Sequence, residues 1–381
     1  MSEYHYYEFQ AIDRPLSKQE MAELRAISTR ATITPSRFMN VYNWGDFKGN
    51  PQILMEKYFD AFVYVANWRT HAFMLRLPQR VLNPETAWLY CLGEEASARV
   101  AGDHIILEFV SEEEPDGWED GEEYLPALVP LRSDLANADL RALYLGWLLC
   151  AQTSLDDDEI EPPVPQGLHS LTASLKAFAD FLRIDEDLIA VASERSTELT
   201  SPSTRELEQW VHELADSEKN KILLRLAKGD NPHLRAEILH GFQQARLAKD
   251  HQSRDAAGSR TVAQLLAASE ERAATRRRLE AEREADERAR REREQAETRA
   301  RYLVSLTGRE EEMWRRVEAL VETKRSADYD QAVRLLKDLR DLEIQAGSVA
   351  AFKARLGQLR DRHAKKPSLL KRLEQAQLLL L

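Results

Sequence analysis

Between residues 270 and 301, 21 of 32 side chains are charged, seven are alanine, one is leucine, and neither glycine nor proline interrupts them. A stretch of this composition has no apolar face to bury, so it folds only where water surrounds it. Acid-first pairs four residues apart, Glu284 with Arg288, Asp286 with Arg290, Glu287 with Arg291 and Glu297 with Arg301, each stabilise an exposed helix by about 0.2 to 0.5 kcal/mol. Thr261-Val-Ala-Gln264 supplies a capping pattern before the run and Gly308 a stop after it. The spacing therefore predicts one solvated helix over 261–307, about 70 Å long at 1.5 Å per residue. Ala274, Ala281, Ala285, Ala289, Ala296 and Ala300 recur at spacings of 7 and 4 without a leucine seam, so a spacer is expected, with an alanine-faced coiled coil as the alternative.

Such a helix divides a chain into parts of different character. The net charge is -12 over 381 residues, but residues 1–160 carry 13 basic and 27 acidic side chains, whereas 259–381 carry 28 and 22. An acidic front repels nucleic acid, and a basic end attracts phosphate or an acidic partner. At 381 residues the length suggests two or three domains. The start, "MSEYHYYEFQ", lacks a signal-peptide pattern, and no run of about 18 apolar residues follows, so a cytoplasmic protein without a membrane span is expected. Cys91 and Cys150 lie in apolar surroundings that suit buried thiols in a reducing compartment.

The expected fold is an α+β N-terminal domain, mostly antiparallel sheet with helices, followed by an all-α region containing the long charged helix and a small C-terminal helical domain. "HYYEFQAI", "RATIT", "DAFVYVANW", "HAFMLRLP", "SARV" and "HIILEFV" read as strands. Ser17-Lys-Gln-Glu20 is a capping box with Leu16 as staple. "LRSDLANADLRALYLGWLLCAQTS" reads as one helix, its last turns apolar nearly all round and therefore buried. The boundaries expected are 1–155 for the acidic α+β domain, 166–252 for a helical domain after the linker "DDDEIEPPVPQG", 259–308 for the charged helix, and 309–381 for the basic tail. Within 166–252, Ser201-Pro202 and Asn231-Pro232 start helices and Lys228-Gly229-Asp230 ends one. In the tail, Val349, Phe352, Leu356, Leu359 and His363, then Leu369, Leu373, Ala376 and Leu380, form apolar stripes on either side of Lys366-Pro367.

The tail segment "YDQAVRLLKDLRDLEIQAGSVAAFKARLGQLRDRHAKKPSLLKRLEQ" resembles the helical region that follows the zinc module in bacterial SWIM-type zinc-finger proteins. "AFADFLRIDEDLIAVASE" and "ILLRLAKGDNPHLRAEILHGF" are similar to helical stretches of the same proteins. Their zinc site needs a Cys-x-Cys pair and a later Cys-x-His, which neither Cys91 nor Cys150 supplies, so zinc does not carry over. The resemblance implies a helical docking region in a bacterial setting where partners often handle nucleic acid. "YYEFQAIDRPLS" with "YNWGDFKGNP" is similar to uncharacterised bacterial proteins and implies no activity.

Three groups of residues are candidates for function. In "NVYNWGDFKGNP", Gly45 and Gly49 suit tight turns and Asn50-Pro51 a helix start. Tyr42, Trp44 and Phe47 then either close one end of the sheet or wall a ligand or partner site in which Asp46 or Lys48 orients a polar group. The tail cations Arg355, Arg360, Arg362, Lys365, Lys366, Lys371 and Arg372 are candidates for contact with phosphate or an acidic partner, although no aromatic is interleaved for base stacking. The acidic stretches 112–123 and 156–159 read as solvated loops or docking sites for a basic partner. His233, Glu237 and His240 share a helical face, but no second Glu-x-x-His completes a metal site, so no metal and no cofactor is expected. No Walker loop, G-x-S-x-G elbow or H-E-x-x-H is present.

The function expected is a non-catalytic adaptor or scaffold in a bacterial multiprotein assembly, with other proteins as partners. The alternatives are a nucleic-acid-associated subunit contacting phosphates through the basic tail, and an enzyme with an unfamiliar site in the N-terminal domain.

Overall fold

The computed structural model describes residues 4–45, 47–67, 70–112, 121–200, 203–229, 234–235, 237–239, 241–242, 245 and 259–378. Asp46 and the starts proposed at Ser201-Pro202 and Asn231-Pro232, together with His233, His240 and Leu380, lie outside the described residues. The chain forms two compact units, Met1–Arg276 and Arg277–Leu381.

The first unit is built on a seven-stranded antiparallel sheet in the order β2-β3-β1-β4-β5-β7-β6. The strands are β1 (His5–Gln10), β2 (Thr32–Thr34), β3 (Arg37–Tyr42), β4 (Ala61–Ala66), β5 (His71–Pro78), β6 (Ala96–Ala101) and β7 (His104–Ser111). Alternate strand residues point to opposite faces, and here both alternations are apolar at the centre. Tyr6, Val63, Val65, Phe73, Leu75, Leu107 and Phe109 enter one core. Tyr7, Phe9, Phe38, Phe62, Met74 and Ile106 enter another. A sheet patterned this way is stable only when both faces are covered.

The second of these faces is covered by α1 (Lys18–Ile27) and α2 (Pro51–Lys57), which contribute Leu24, Leu54 and Met55. The Ser17 capping box is formed as expected, Glu20 accepting from the Ser17 amide and Ser17 Oγ from the Glu20 amide. The short helix α3 (Pro84–Trp88) precedes β6, and α4 (Tyr124–Leu128), α5 (Pro130–Ala136), α6 (Arg141–Thr153), α7 (Ala173–Leu182) and α8 (Glu186–Ser193) pack on the first face. Every α6 residue from Arg141 to Ala151 is buried. Gly146 lets α6 meet β7 closely, since a Cβ there would stand 2.4 Å from the Phe109 ring.

Three local expectations change. The stretch 131–154 is two helices rather than one, because Ala138 takes a left-handed φ of 63° between α5 and α6. Residues 37–42, not read as a strand, form β3, joined to β2 by a tight turn. The helical segment after the linker does not form a core of its own through α7 and α8: Leu175, Phe178, Leu182, Leu188 and Val191 share the sheet's core. Further helices follow, among them α9 (Thr204–Glu213), starting at a Ser203–Glu206 capping box, and α10 (Asp216–Lys228), ending at Gly229 with φ 74°.

The charged run is one helix, α11 (Val262–Leu306), opened by reciprocal Thr261–Gln264 bonds and followed by Gly308 at φ 84°. Its first turns belong to the first unit. Val262 and Leu265 are in the sheet's core, and Arg260 holds Glu161 of the linker through Nε at 2.9 Å and Nη2 at 2.6 Å. Arg276 reaches the buried Asp187 at 2.8 Å. Side chains from Ala274 to Thr298 are exposed throughout. In the second unit, α12 (Glu310–Glu322), α13 (Ser326–Gln345), α14 (Val349–Arg362) and α15 (Pro367–Gln375) surround a core of Trp314, Val317, Leu336, Leu339, Phe352, Leu356, Leu369 and Leu373, which Leu303 of α11 joins. Arg299 of α11 bonds Asp338 and Asp341 of α13, each at 2.6 Å. Among the described residues, no helix is long and apolar enough to cross a membrane.

One charged side chain organises the sheet end. Asp60, fully buried, accepts from the amides of Ile12 and Asp13 at 2.6 and 2.9 Å and from Arg76 Nη2 at 2.8 Å. Arg76 Nη1 donates to the Glu56 carbonyl at 2.8 Å, and Arg132 bonds both the Arg76 carbonyl and Asp13. Burial by itself raises the Asp60 pKa, but the two amides and Arg76 outweigh it and hold the carboxyl below its ordinary value. A carboxylate so depressed adds stability that is present above its unfolded pKa near 3.9 and is lost as pH falls through the lower folded value. Asp60→Ala leaves Arg76 buried without a counter-charge and is expected to cost about 3–5 kcal/mol, read by urea denaturation at pH 7. The gap between variant and parent should narrow as the pH is lowered below about 4.

Candidate functional site

The turn after β3 divides its residues between core and surface. Phe47 is buried and packs against Tyr7, Phe9 and Phe38 at ring distances of 5.1, 6.2 and 5.7 Å. Tyr42 stands edge-on to Tyr7 at 5.9 Å and its hydroxyl lies 3.4 Å from Ser28 Oγ. Gly49 is required by contact, since a Cβ there would meet the Phe47 ring at 2.5 Å. Asn50 caps α2 by accepting from the amides of Gln52 and Ile53. Trp44, 72% exposed, and Lys48 face solvent. Tyr42 and Phe47 thus close the sheet's second face, leaving Trp44 and Lys48 as the accessible pair.

A polar cleft of about 760 Å³ lies on the other face, where α4 and α5 stop short of β3. Its floor carries Glu8 and Gln10 of β1 and Arg37 of β3; Pro126, Val129 and Ser133 form a wall. Residues 8, 10 and 37 share a face because Gln10 pairs with Arg37 across the antiparallel ladder. The buried Glu8 accepts from the Tyr6 hydroxyl at 2.7 Å. Arg37 Nε approaches Glu8 Oε1 at 2.5 Å, a charge contact out of hydrogen-bond alignment. Arg37 Nη2 also donates to the Tyr6 hydroxyl at 3.3 Å. Burial, with the adjacent Glu8 charge, pushes the Tyr6 pKa well above its ordinary value despite Arg37. The phenol therefore stays a proton donor to Glu8, and the carboxylate is occupied from two sides. Glu8 and Tyr6 are thus partners of one another and of Arg37. The alternation of "HYYEFQ" puts Tyr6, Glu8 and Gln10 on one face, but Arg37 joins them only through the pairing of β3 with β1.

The seven tail cations are not brought together as a single surface. Arg355 lies over Trp314 at 4.8 Å and forks onto Glu311, 3.0 Å from one oxygen. Arg362 pairs with Glu318 at 3.2 Å and Arg360 with Asp361 at 3.0 Å. Lys366 donates to the Val321 carbonyl at 2.7 Å, and Arg372 pairs with Asp330 at 2.7 Å. Lys365 and Lys371 are exposed. Most of these cations therefore bind acids of their own unit, so a phosphate contact there would replace an ion pair already formed.

Of the His233-Glu237-His240 face only Glu237 is described; it accepts from Arg225 at 2.5 and 3.0 Å, as an ion-pair partner does. Among the described residues no cluster of three His, Cys, Asp or Glu side chains is arranged to hold a metal.

Two sets of substitutions separate core from surface. Gly49→Ala, which forces the Phe47 ring aside, is expected to cost about 1–3 kcal/mol, and Trp44→Ala no more than about 0.5 kcal/mol, both by chemical denaturation. Tyr6→Phe removes a hydrogen bond to a buried carboxylate and is expected to cost about 1.5–3 kcal/mol in the same assay.

No family model matches this chain, and neither a curated protein nor a solved structure shows significant similarity to it.

Proposed function

We propose that the protein is a non-catalytic adaptor of a bacterial multiprotein assembly, holding one partner on its acidic first unit and another on its helical second unit. The observation that carries this reading is that the chain builds two distinct hydrophobic cores, one in each unit, while the side chains from Ala274 to Thr298 of α11 are all exposed. The exposed stretch from Ala274 to Thr298 buries nothing in either core, which suits a protein whose two units serve different partners. The opposed charge of the two ends supports the same reading, since complementary potential steers partners apart as well as together. Buried Cys150 and half-buried Cys91 fit a reducing cytoplasm.

The two alternatives have less support. An enzyme would use the Glu8 cleft, where the carboxylate is already held by Tyr6 and Arg37. A nucleic-acid subunit would use the tail, where Arg355, Arg360, Arg362 and Arg372 pair with acids.

Affinity purification of the full-length protein from its native cell, with and without nuclease, tests the reading. Protein partners should survive nuclease. The pair Trp44→Ala and Lys48→Glu should remove a different set of partners from Lys353→Glu, an exposed tail position. An eluate emptied by nuclease, or one unchanged by either variant, rejects the adaptor.

A further inference from the structure

Two turns of the second unit meet over one cleft. The turn between α12 and α13 brings Lys324, and the turn between α14 and α15 brings Lys365 and Lys366, around a space of about 520 Å³ completed by Ser326, Tyr329, Pro367 and Ser368. The turns are held together by two cations. Lys366 Nζ donates to the Val321 carbonyl at the end of α12. Arg372 donates to Ser326 Oγ at 2.6 Å, to Ser368 Oγ at 2.5 Å and to Asp330 at 2.7 Å.

The chemistry of the lining is one-sided. A hydroxyl that accepts from a guanidinium keeps its own proton to give, so Arg372 turns both serines into donors toward whatever enters. Three ammonium groups add only donors, and no carboxylate lines the space. Of the carboxylates nearby, Asp330 is engaged with Arg372 and Asp328 with the Thr323 hydroxyl at 2.7 Å. Neither α13 nor α15 has a side-chain cap, and the start of α13 adds its positive helix end beside Lys324. Burial, followed by Lys366 and Arg362 and opposed by Glu322 and Glu318, depresses the pKa of His363 on the adjoining turn.

We propose that this cleft binds a phosphomonoester group, either free or carried on a side chain of a partner protein. A phosphomonoester has a charge of about -1.5 to -2 near neutral pH and three acceptor oxygens, which match converging ammonium and hydroxyl donors. A phosphodiester chain needs cations repeated along a track, and the neighbouring Arg355, Arg360 and Arg362 are instead paired with Glu311, Asp361 and Glu318. The cleft lies wholly within the second unit. It stands whether or not the first unit holds a partner, so its failure and that of the adaptor reading are separate results.

Isothermal titration of the full-length protein at physiological salt tests it. The titrants are inorganic phosphate, a phosphoserine peptide, the same peptide unphosphorylated, and a short single-stranded oligonucleotide. The expected result is saturable binding of phosphate or phosphopeptide and none of the unphosphorylated peptide. Lys324→Gln combined with Lys365→Gln should weaken it by about tenfold or more, and Lys353→Gln, at an exposed position outside the cleft, should leave it unchanged. Equal affinity for phosphate and phosphopeptide assigns a free ligand; much tighter phosphopeptide binding assigns a partner's side chain. In the unsubstituted protein, saturating phosphate should shield Lys324 and Lys365, but not Lys353, from amine-reactive labelling, a readout that needs no variant to fold. Absence of saturable binding, binding indifferent to the double substitution, unshielded lysines, or preference for the oligonucleotide overturns the proposal.

Discussion

The first unit depends on a buried charge being satisfied. Asp60 stands at the junction of α2 and β4, out of water, and gathers the chain after β1, the end of α2, the middle of β5 and, through Arg132, helix α5. A carboxylate in that position is costly unless several donors meet it. The donors it meets are backbone amides of residues 12 and 13 and the guanidinium of residue 76, so the requirement fixes where distant parts of the sequence lie. Packing alone is less selective, because aromatic and aliphatic side chains on a sheet tolerate small shifts that a charge does not.

A second satisfied charge sets where the long helix begins. Glu161, at 3% side-chain exposure, is forked by Arg260 and also accepts from Tyr144. The linker residue Ile160 and Thr261 form a short bridge beside it. Together they return the chain to the sheet immediately before α11, so the first turns of a helix that is elsewhere solvated acquire a buried start. The same helix needs no core over Ala274 to Thr298 because its alternating charges are stable in water. Local stability of that kind explains why a single element contributes to two units without either core extending along it.

The clefts of the two units differ in chemistry in a way that follows from what surrounds them. On the sheet, Glu8 and Arg37 neutralise each other and the phenol of Tyr6 is fixed as donor, so the surface is polar without a strong field. In the second unit, acids on α12, α13 and α14 take up most of the arginines, and the cations left facing the cleft come from the two turns. Pairing among helices thus leaves Lys324, Lys365 and Lys366 as the charged side chains that line this cleft.

Much of the architecture was legible in the residues. Period-two runs placed β1, β4, β5, β6 and β7, caps such as Ser17-x-x-Glu20 and Thr261-x-x-Gln264 placed helix starts, and the charge run placed α11, because each is a local rule acting over a few residues. What the sequence could not supply came from contacts distant along the chain. The strand at 37–42 has its partners across β1 and β2, the break at Ala138 answers the packing of α5 and α6 on the sheet, and α7 and α8 joined that core only because the sheet offered an uncovered face. The candidate sites were hidden for the same reason. Tyr6 and Glu8 lie in one strand and Arg37 in another, while Lys324 and Lys365 are separated by two helices. Local pattern determined the elements; which side chains face one another was decided by the folding of those elements onto shared cores, where burial leaves each charge to find its partner or face the solvent.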